Sequence, residues 1–212
     1  IRGIAGVVGC NNARTRHNEG HLAVVKELIK NDVIVLTTGC NGIACAMEGL
    51  LTPESAAVMC GPGLAEGCET VGIPPVLHMG SCVDNSRILL AAAEVVKAGG
   101  LGNDISDLPV AGSAPEWMSE KAISIGHYFV VSGVYTVFGV TLPVSGAPVF
   151  QNYLFEELEK LYGGMWDLEV DPVLHAHKMI AHIDKKRKAL GIDRSRERVL
   201  TDMADRRQLQ AG

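Results

Sequence analysis

Residues 74–87 read Pro-Pro-Val-Leu-His-Met-Gly-Ser-Cys-Val-Asp-Asn-Ser-Arg. The apolar run Ile73 to Met79 reads as a short buried strand, and Gly80 lets the backbone turn. Cys82 falls at the carboxyl end of that strand, and Asp84, Asn85 or Ser86 can cap a helix over Arg87 to Lys97. A strand, a polar turn bearing a thiol and a helix N-terminus therefore follow one another. Ligands of open α/β sheets bind at the carboxyl ends of strands. A helix N-terminus also favours thiolate, the metal-binding form of cysteine.

The same grammar repeats on both sides. Residues 3–9 predict a strand ending at Cys10, and a helical pattern follows over Glu19 to Lys30, with Leu22, Val25, Leu28 and Ile29 in register. Asp32 to Thr38 predicts a second strand ending at Gly39-Cys40, and a helix follows to Leu50. Thr52-Pro53-Glu54 and Gly61-Pro62-Gly63 open two short helices. Strands are expected over 108–112, 134–140 and 165–170. Helices are expected from Ser113-Ala114-Pro115-Glu116 onward, with Lys121 in the second turn, over 148–162 and over 171–190. Strands alternating with helices predict a doubly wound, mostly parallel Rossmann-like α/β sheet with C-terminal helices. The abrupt opening on Ile1-Arg2-Gly3 suggests a sheet lacking its first strands. Residues 1–191 are expected to form the domain and 192–212 a charged C-terminal helix.

Composition limits the function classes. Of 212 residues, 47% are hydrophobic but only 5% aromatic, and 24 are glycine, so the core is aliphatic with many tight turns. A net charge of -5 argues against general nucleic-acid binding. No apolar run is long enough to span a bilayer. Six cysteines are too few for a disulfide scaffold, and a reduced, cytoplasmic setting is the expectation.

Cys10, Cys40 and Cys82 share one address, a turn between a strand and a helix, and all such turns of a parallel sheet lie on one edge. Burial alone explains a single cysteine well, but not three at the same address. No C-x-x-C pair or short-range histidine suits zinc, whereas one thiol per loop suits an iron–sulfur or mixed-metal cluster. Cys45, Cys60 and Cys68 fall in helical segments and read as packing residues. Lys121 is either a solvated lysine or a fixed cation beside an anion-handling site. His78 reads as a buried, hydrogen-bonded histidine. His175, His177 and His182 read as packing or solvated groups, and the basic runs near the C-terminus as a solvated face. Gly3-Ile-Ala-Gly6-Val-Val-Gly9 is a poor dinucleotide fingerprint, with no acidic residue for a ribose.

Four stretches, namely Gly9-Cys10-Asn11-Asn12, Thr37-Thr38-Gly39-Cys40, His78 to Arg87, and Ser113-Ala114-Pro115-Glu116 with Met118-Ser119-Glu120-Lys121, resemble elements of the anaerobic nickel–iron–sulfur carbon monoxide dehydrogenases. The resemblance is to the C-terminal part of the catalytic subunit and covers nearly the whole chain. It implies oxidation of CO with water to CO2, two protons and two electrons at a Ni-Fe-S cluster. Cys10 and Cys40 would hold iron and Cys82 nickel. Lys121 would stabilise substrate charge and assist proton movement, and Ile125 would shield the substrate position. Further 4Fe-4S clusters, a ferredoxin-like electron carrier and a homodimer are implied for the intact protein, and this fragment alone is expected to be inactive. Two other readings stand beside it: a hybrid-cluster-type iron–sulfur oxidoreductase acting on hydroxylamine-like substrates, and a non-catalytic α/β binding module.

Overall fold

The computed structural model describes residues 1–141 and 144–193 of the 212. The charged helix expected beyond residue 193 lies outside the described residues.

In chain order the elements are β1 (Gly3–Val7), α1 (Glu19–Lys30), β2 (Val33–Thr37), α2 (Gly39–Met47), α3 (Ser55–Met59), α4 (Pro62–Val71), β3 (Val76–His78), α5 (Ser86–Ala98), β4 (Val110–Ala114), α6 (Glu120–Val131) and β5 (Thr136–Phe138). There follow α7 (Pro148–Asn152), a π-helical turn (Tyr153–Glu157), α8 (Leu158–Tyr162), β6 (Trp166–Leu168) and α9 (Pro172–Ala189). The six strands form one sheet in the order β3-β2-β1-β4-β5-β6, and every neighbouring pair is parallel. The chain thus winds outward from β1 to one edge, crosses back, and winds outward again from β4.

Burial explains the strands. All five residues of β2, Val-Ile-Val-Leu-Thr, and all five of β4, Val-Ala-Gly-Ser-Ala, are buried, as strands covered on both faces must be. One face packs against α1 and α9 through Val24, Val25, Leu28, Met179 and Ile183. The other packs against α5 and α6 through Ile88, Leu89 and Phe129, and toward β6 through Phe138, Leu154 and Trp166. The stacked Phe138 and Trp166 rings, 4.1 Å apart, supply the bulk that the aliphatic core lacks at that end. Helix α9 starts where Asp171-Pro172 predicts. The Asp171 carboxylate accepts from the Val173 and Leu174 N–H groups at 2.9 Å, and Pro172 takes the first helical position.

Three expectations need correction. Residues 113–116 do not open a helix. Strand β4 runs to Ala114, Pro115 to Ser119 form a loop, and α6 begins at Glu120, which puts Lys121 in the first turn. The proline read as a helix start instead ends the strand. The segment after Pro53 turns before α3 begins at Ser55. His78 is exposed rather than buried, because β3 is an edge strand. Its Nδ1 accepts the Gly80 N–H at 3.2 Å.

His175 ties α9 to the sheet. Its Nδ1 lies 3.1 Å from the Glu169 carbonyl and its Nε2 2.7 Å from the Ser113 hydroxyl. With Nδ1–H donating to the carbonyl, Nε2 is the acceptor and the ring is neutral. The side chain is 1% exposed, and burial lowers its pKa to about 4. The unfolded chain takes up that proton near pH 6.5, so protons favour unfolding between those values. Stability should be flat above about pH 7 and fall as pH drops from 6.5 toward 4, by about 1.4 kcal/mol per unit from this group. Urea denaturation across that range checks it: a His175→Gln variant, weaker at pH 7, should show a shallower fall, and an equal slope would contradict the assignment.

Candidate metal centre

The three thiols follow three adjacent strands by three or four residues. Cys82, Cys40 and Cys10 follow β3, β2 and β1, which lie side by side. Strands are spaced about 4.8 Å apart, so the ends of these three strands span about 10 Å. Lys121 follows β4, the next strand in the row.

Two glycines bring the turns together. Gly39, with φ of 57°, takes the left-handed conformation between β2 and Cys40, and its N–H donates to the Gly80 carbonyl at 3.2 Å. A side chain there would put its Cβ 3.2 Å from that of Cys82, so the start of α2, which bears Cys40, touches the turn bearing Cys82 at this point. Gly9, with φ of 126°, does the same between β1 and Cys10, where a Cβ would lie 2.2 Å from the Glu116 carbonyl oxygen. Cys40 and Cys82 are exposed and Cys10 half-buried, and all three are free thiols.

A polar network beneath the thiols holds their backbones. The Cys10 N–H donates to the Glu116 carbonyl at 3.0 Å, and its own carbonyl lies 3.0 Å from His21 Nε2. His21 is fully buried. Burial lowers its pKa, against the opposing pull of the Glu116 charge, so it stays neutral with Nε2–H donating to Cys10. Asn41, next to Cys40 and fully buried, donates through Nδ2 to the Val7 carbonyl at 3.0 Å and the Thr37 hydroxyl at 2.6 Å, which ties α2 to the ends of β1 and β2. The Thr38 hydroxyl donates to Asn85 Oδ1 at 2.6 Å, while Asn85 Nδ2 donates to the Cys82 carbonyl. Cys82 opens a 3-10 turn, where Ser81 and Asp84 cap each other. The Ser81 N–H and hydroxyl hold the Asp84 carboxyl below its usual range.

The other cysteines are packing residues, as read. Cys45 and Cys68 are at most 1% exposed, and burial pushes the Cys45 and Cys60 thiols up to about 12. Lys121 is exposed and has no ion-pair partner among the described residues. Ile125, one turn further along α6, is half-buried against the cluster of Val8, Leu36 and Ile88, with Met79 alongside. Exposed apolar side chains occur on the same elements: Ile43 and Met47 on α2, Val83 next to Cys82 in sequence, and Met118 before α6.

Sequence reasoning missed Glu116, His21, Asn41 and Asn85 as supports. His21 shares its helical face with Val24, Val25 and Leu28, which marks it as buried. Glu116 is the one charge in the run from Val110 to Trp117, directly after a buried strand.

Among the described residues no three His, Cys, Asp or Glu side chains close on the volume of one ion. Soft donors in a row, one per loop, fit a multi-metal sulfide core rather than a single cation. The class defined by this fold and edge is a doubly wound, all-parallel α/β domain with free thiols just beyond three adjacent strands. The chain belongs to the Prismane/CO dehydrogenase family, whose signature matches residues 1–173. It is 57% identical over 193 residues to carbon monoxide dehydrogenase 1 of Methanosarcina mazei, covering 91% of this chain and 30% of that protein. It is 40% identical over 200 residues to carbon monoxide dehydrogenase 1 of Carboxydothermus hydrogenoformans, covering 91% and 31%. Among solved structures, a nickel-free carbon monoxide dehydrogenase from Thermococcus sp. AM4 superposes with a TM-score of 0.86 at 55% identity, over 90% of this chain and 30% of the other. Carbon monoxide dehydrogenase IV of C. hydrogenoformans gives 0.85 at 43% identity, over 90% and 31%. The chain therefore spans about 30% of the length of the relatives it matches.

Thiol reactivity follows from these burials. In the metal-free chain, iodoacetamide should label Cys40 and Cys82 first, Cys10 more slowly, and Cys45 and Cys68 only on unfolding. Peptide mass spectrometry reads the order, and early labelling of Cys45 would contradict the placement.

Proposed function

We propose that this chain is the cluster-binding domain of an anaerobic carbon monoxide dehydrogenase, which converts CO and water to CO2, two protons and two electrons. The observation that supports it most is the row of Cys82, Cys40 and Cys10 over three adjacent strand ends, with Lys121 on the fourth. Cys10 and Cys40 would hold iron and Cys82 nickel. When bound, the Ni-Fe-S centre supplies the redox chemistry and the site where carbon monoxide and water meet.

The chain's own residues supply ligands, orientation and charge. His21 and the Glu116 carbonyl fix Cys10 from both sides of its backbone. Asn85 and Thr38 hold the Cys82 turn against the end of β2. The Lys121 ammonium, free of a carboxylate partner among the described residues, stabilises negative charge on the substrate oxygens and passes a proton toward solvent. Ile125 presents an aliphatic wall that keeps water from the substrate position.

The exposed Ile43, Met47, Val83 and Met118 fit a site completed by protein outside these residues, which would bring the remaining ligands and the 4Fe-4S clusters of an electron path. The electrons would leave to a ferredoxin-like carrier. A homodimer in the cytoplasm is part of the same reading. No helix among the described residues is long and apolar enough to cross a membrane.

A nucleotide-binding module is disfavoured by the fold itself. The first two glycines of Gly3-Ile-Ala-Gly6-Val-Val-Gly9 are inside strand β1 rather than in a loop. At the turn where a dinucleotide phosphate sits in such folds, the Asn12 and Gly20 N–H groups already donate to the Glu116 carboxylate.

Substitutions separate the roles. In the holoprotein, Cys82→Ala should lose nickel while retaining most iron, and Lys121→Ala should retain both metals while kcat falls about 10²–10³-fold. Elemental analysis with CO oxidation assays decides it. A wild-type protein that binds iron without nickel would instead favour the hybrid-cluster reading.

A further inference from the structure

We propose that Glu116 is a positioning residue of the metal centre: its buried carboxylate sets the loop that presents Cys10, and its own backbone carries that setting to Lys121. The inference rests on reading Cys10 as an iron ligand and Lys121 as the cation of the site.

Glu116 is 1% exposed. Its Oε2 accepts the Asn12 N–H at 3.1 Å and the Thr15 hydroxyl at 2.8 Å, and its Oε1 accepts the Gly20 N–H at 3.1 Å. All three donors belong to the segment between β1 and the first turn of α1, the segment that begins with Cys10. The same residue's carbonyl accepts the Cys10 N–H at 3.0 Å, and the following carbonyl, that of Trp117, accepts Asn12 Nδ2 at 2.7 Å. Five contacts thus join the loop after β1 to the loop after β4.

No cation neutralises this carboxylate among the described residues. The neighbouring His21 turns its Nε2 to the Cys10 carbonyl rather than to this carboxylate. The charge is balanced by N–H dipoles, including that of Gly20 at the start of the 12-residue helix α1. Both oxygens are engaged by donors of the loop, so Glu116 is not itself a ligand. It occupies the anion place at the first strand–helix turn of a doubly wound sheet and uses it for support.

The consequence is a shared anchor. Asn12 lies two residues after Cys10, and Lys121 lies five residues after Glu116, in the first turn of α6. Moving the carboxylate moves the iron-binding thiol relative to the ammonium group. A glutamine in its place keeps the size but aims an NH2 at an N–H or hydroxyl donor, whichever way the amide turns. Gly20→Ala perturbs the same carboxylate without changing its charge, because the added Cβ would lie 3.0 Å from Oε1.

The test compares holoprotein of wild type, Glu116→Gln and Gly20→Ala. Iron and nickel per chain, the low-temperature EPR spectrum of the cluster and the thermal unfolding midpoint are measured together. Glu116→Gln should weaken metal retention about 10–100-fold or shift the EPR spectrum of the metal that remains, as loss of a support behind a ligand does. Gly20→Ala should shift the spectrum in the same direction by less. A lower melting midpoint with unaltered metal content and spectrum would show a structural role only and overturn the proposal. Should Glu116→Gln not accumulate folded, Gly20→Ala decides, and an unaltered spectrum there overturns it equally. A wild type that holds no nickel–iron cluster overturns both this proposal and the function it rests on, whereas a loaded wild type with unaffected variants overturns this one alone.

Discussion

Four strands lying side by side and pointing the same way are what the molecule depends on. Because β3, β2, β1 and β4 are parallel and contiguous, each ends on the same edge, and each hands its chain to a helix through a loop on that edge. Residues distant in sequence therefore become neighbours without any long excursion. The apolar stretches Gly3–Val7, Val33–Thr37 and Val110–Ala114 make this arrangement favourable by burying both faces. Cys10 and Cys40 lie three residues beyond the ends of β1 and β2, and Lys121 seven beyond the end of β4.

That edge holds an unusual number of buried polar groups for so aliphatic a core. Glu116, His21, Asn41, Asn85, Thr37 and Thr38 are all at most 4% exposed. Each is costly to bury unpaired: His21 and Asn85 bond the Cys10 and Cys82 carbonyls, Glu116 accepts N–H groups of the segment that carries Cys10, and Asn41, Thr37 and Thr38 bond one another or their neighbours at the ends of β1 and β2. His21 Nδ1 and Asn41 Oδ1 find no partner among the described residues. A network of this kind stiffens loops that would otherwise be mobile, which is what soft-metal ligands on separate segments require.

Most of the fold was legible before any coordinates. The helix at Glu19–Lys30, the start of α9 at Asp171-Pro172 and the buried strand at Val33–Thr37 follow from periodicity and capping, which are local signals. That Cys10, Cys40 and Cys82 follow strands of one parallel sheet on the same edge was legible because repetition of one local pattern in such a sheet has a single three-dimensional meaning. His78 was misjudged because its apolar neighbours do not reveal that β3 is an edge strand, a matter of sheet order. The helix bearing Lys121 was started too early because Pro115 fits a helix start as well as a strand end. Glu116 went unread as a support because its partners Asn12, Thr15 and Gly20 lie about a hundred residues away, and a buried charge looks in sequence like any surface one.

The account stands on metal being held by thiols from separate loops. Anomalous diffraction from crystals of the anaerobically prepared holoprotein, collected at the iron and nickel edges, tests this most directly. The account predicts iron bonded to the Sγ atoms of Cys10 and Cys40 and nickel bonded to that of Cys82, within reach of Lys121. Metal peaks located away from these three sulfurs, or a nickel peak with no contact to Cys82, would contradict it.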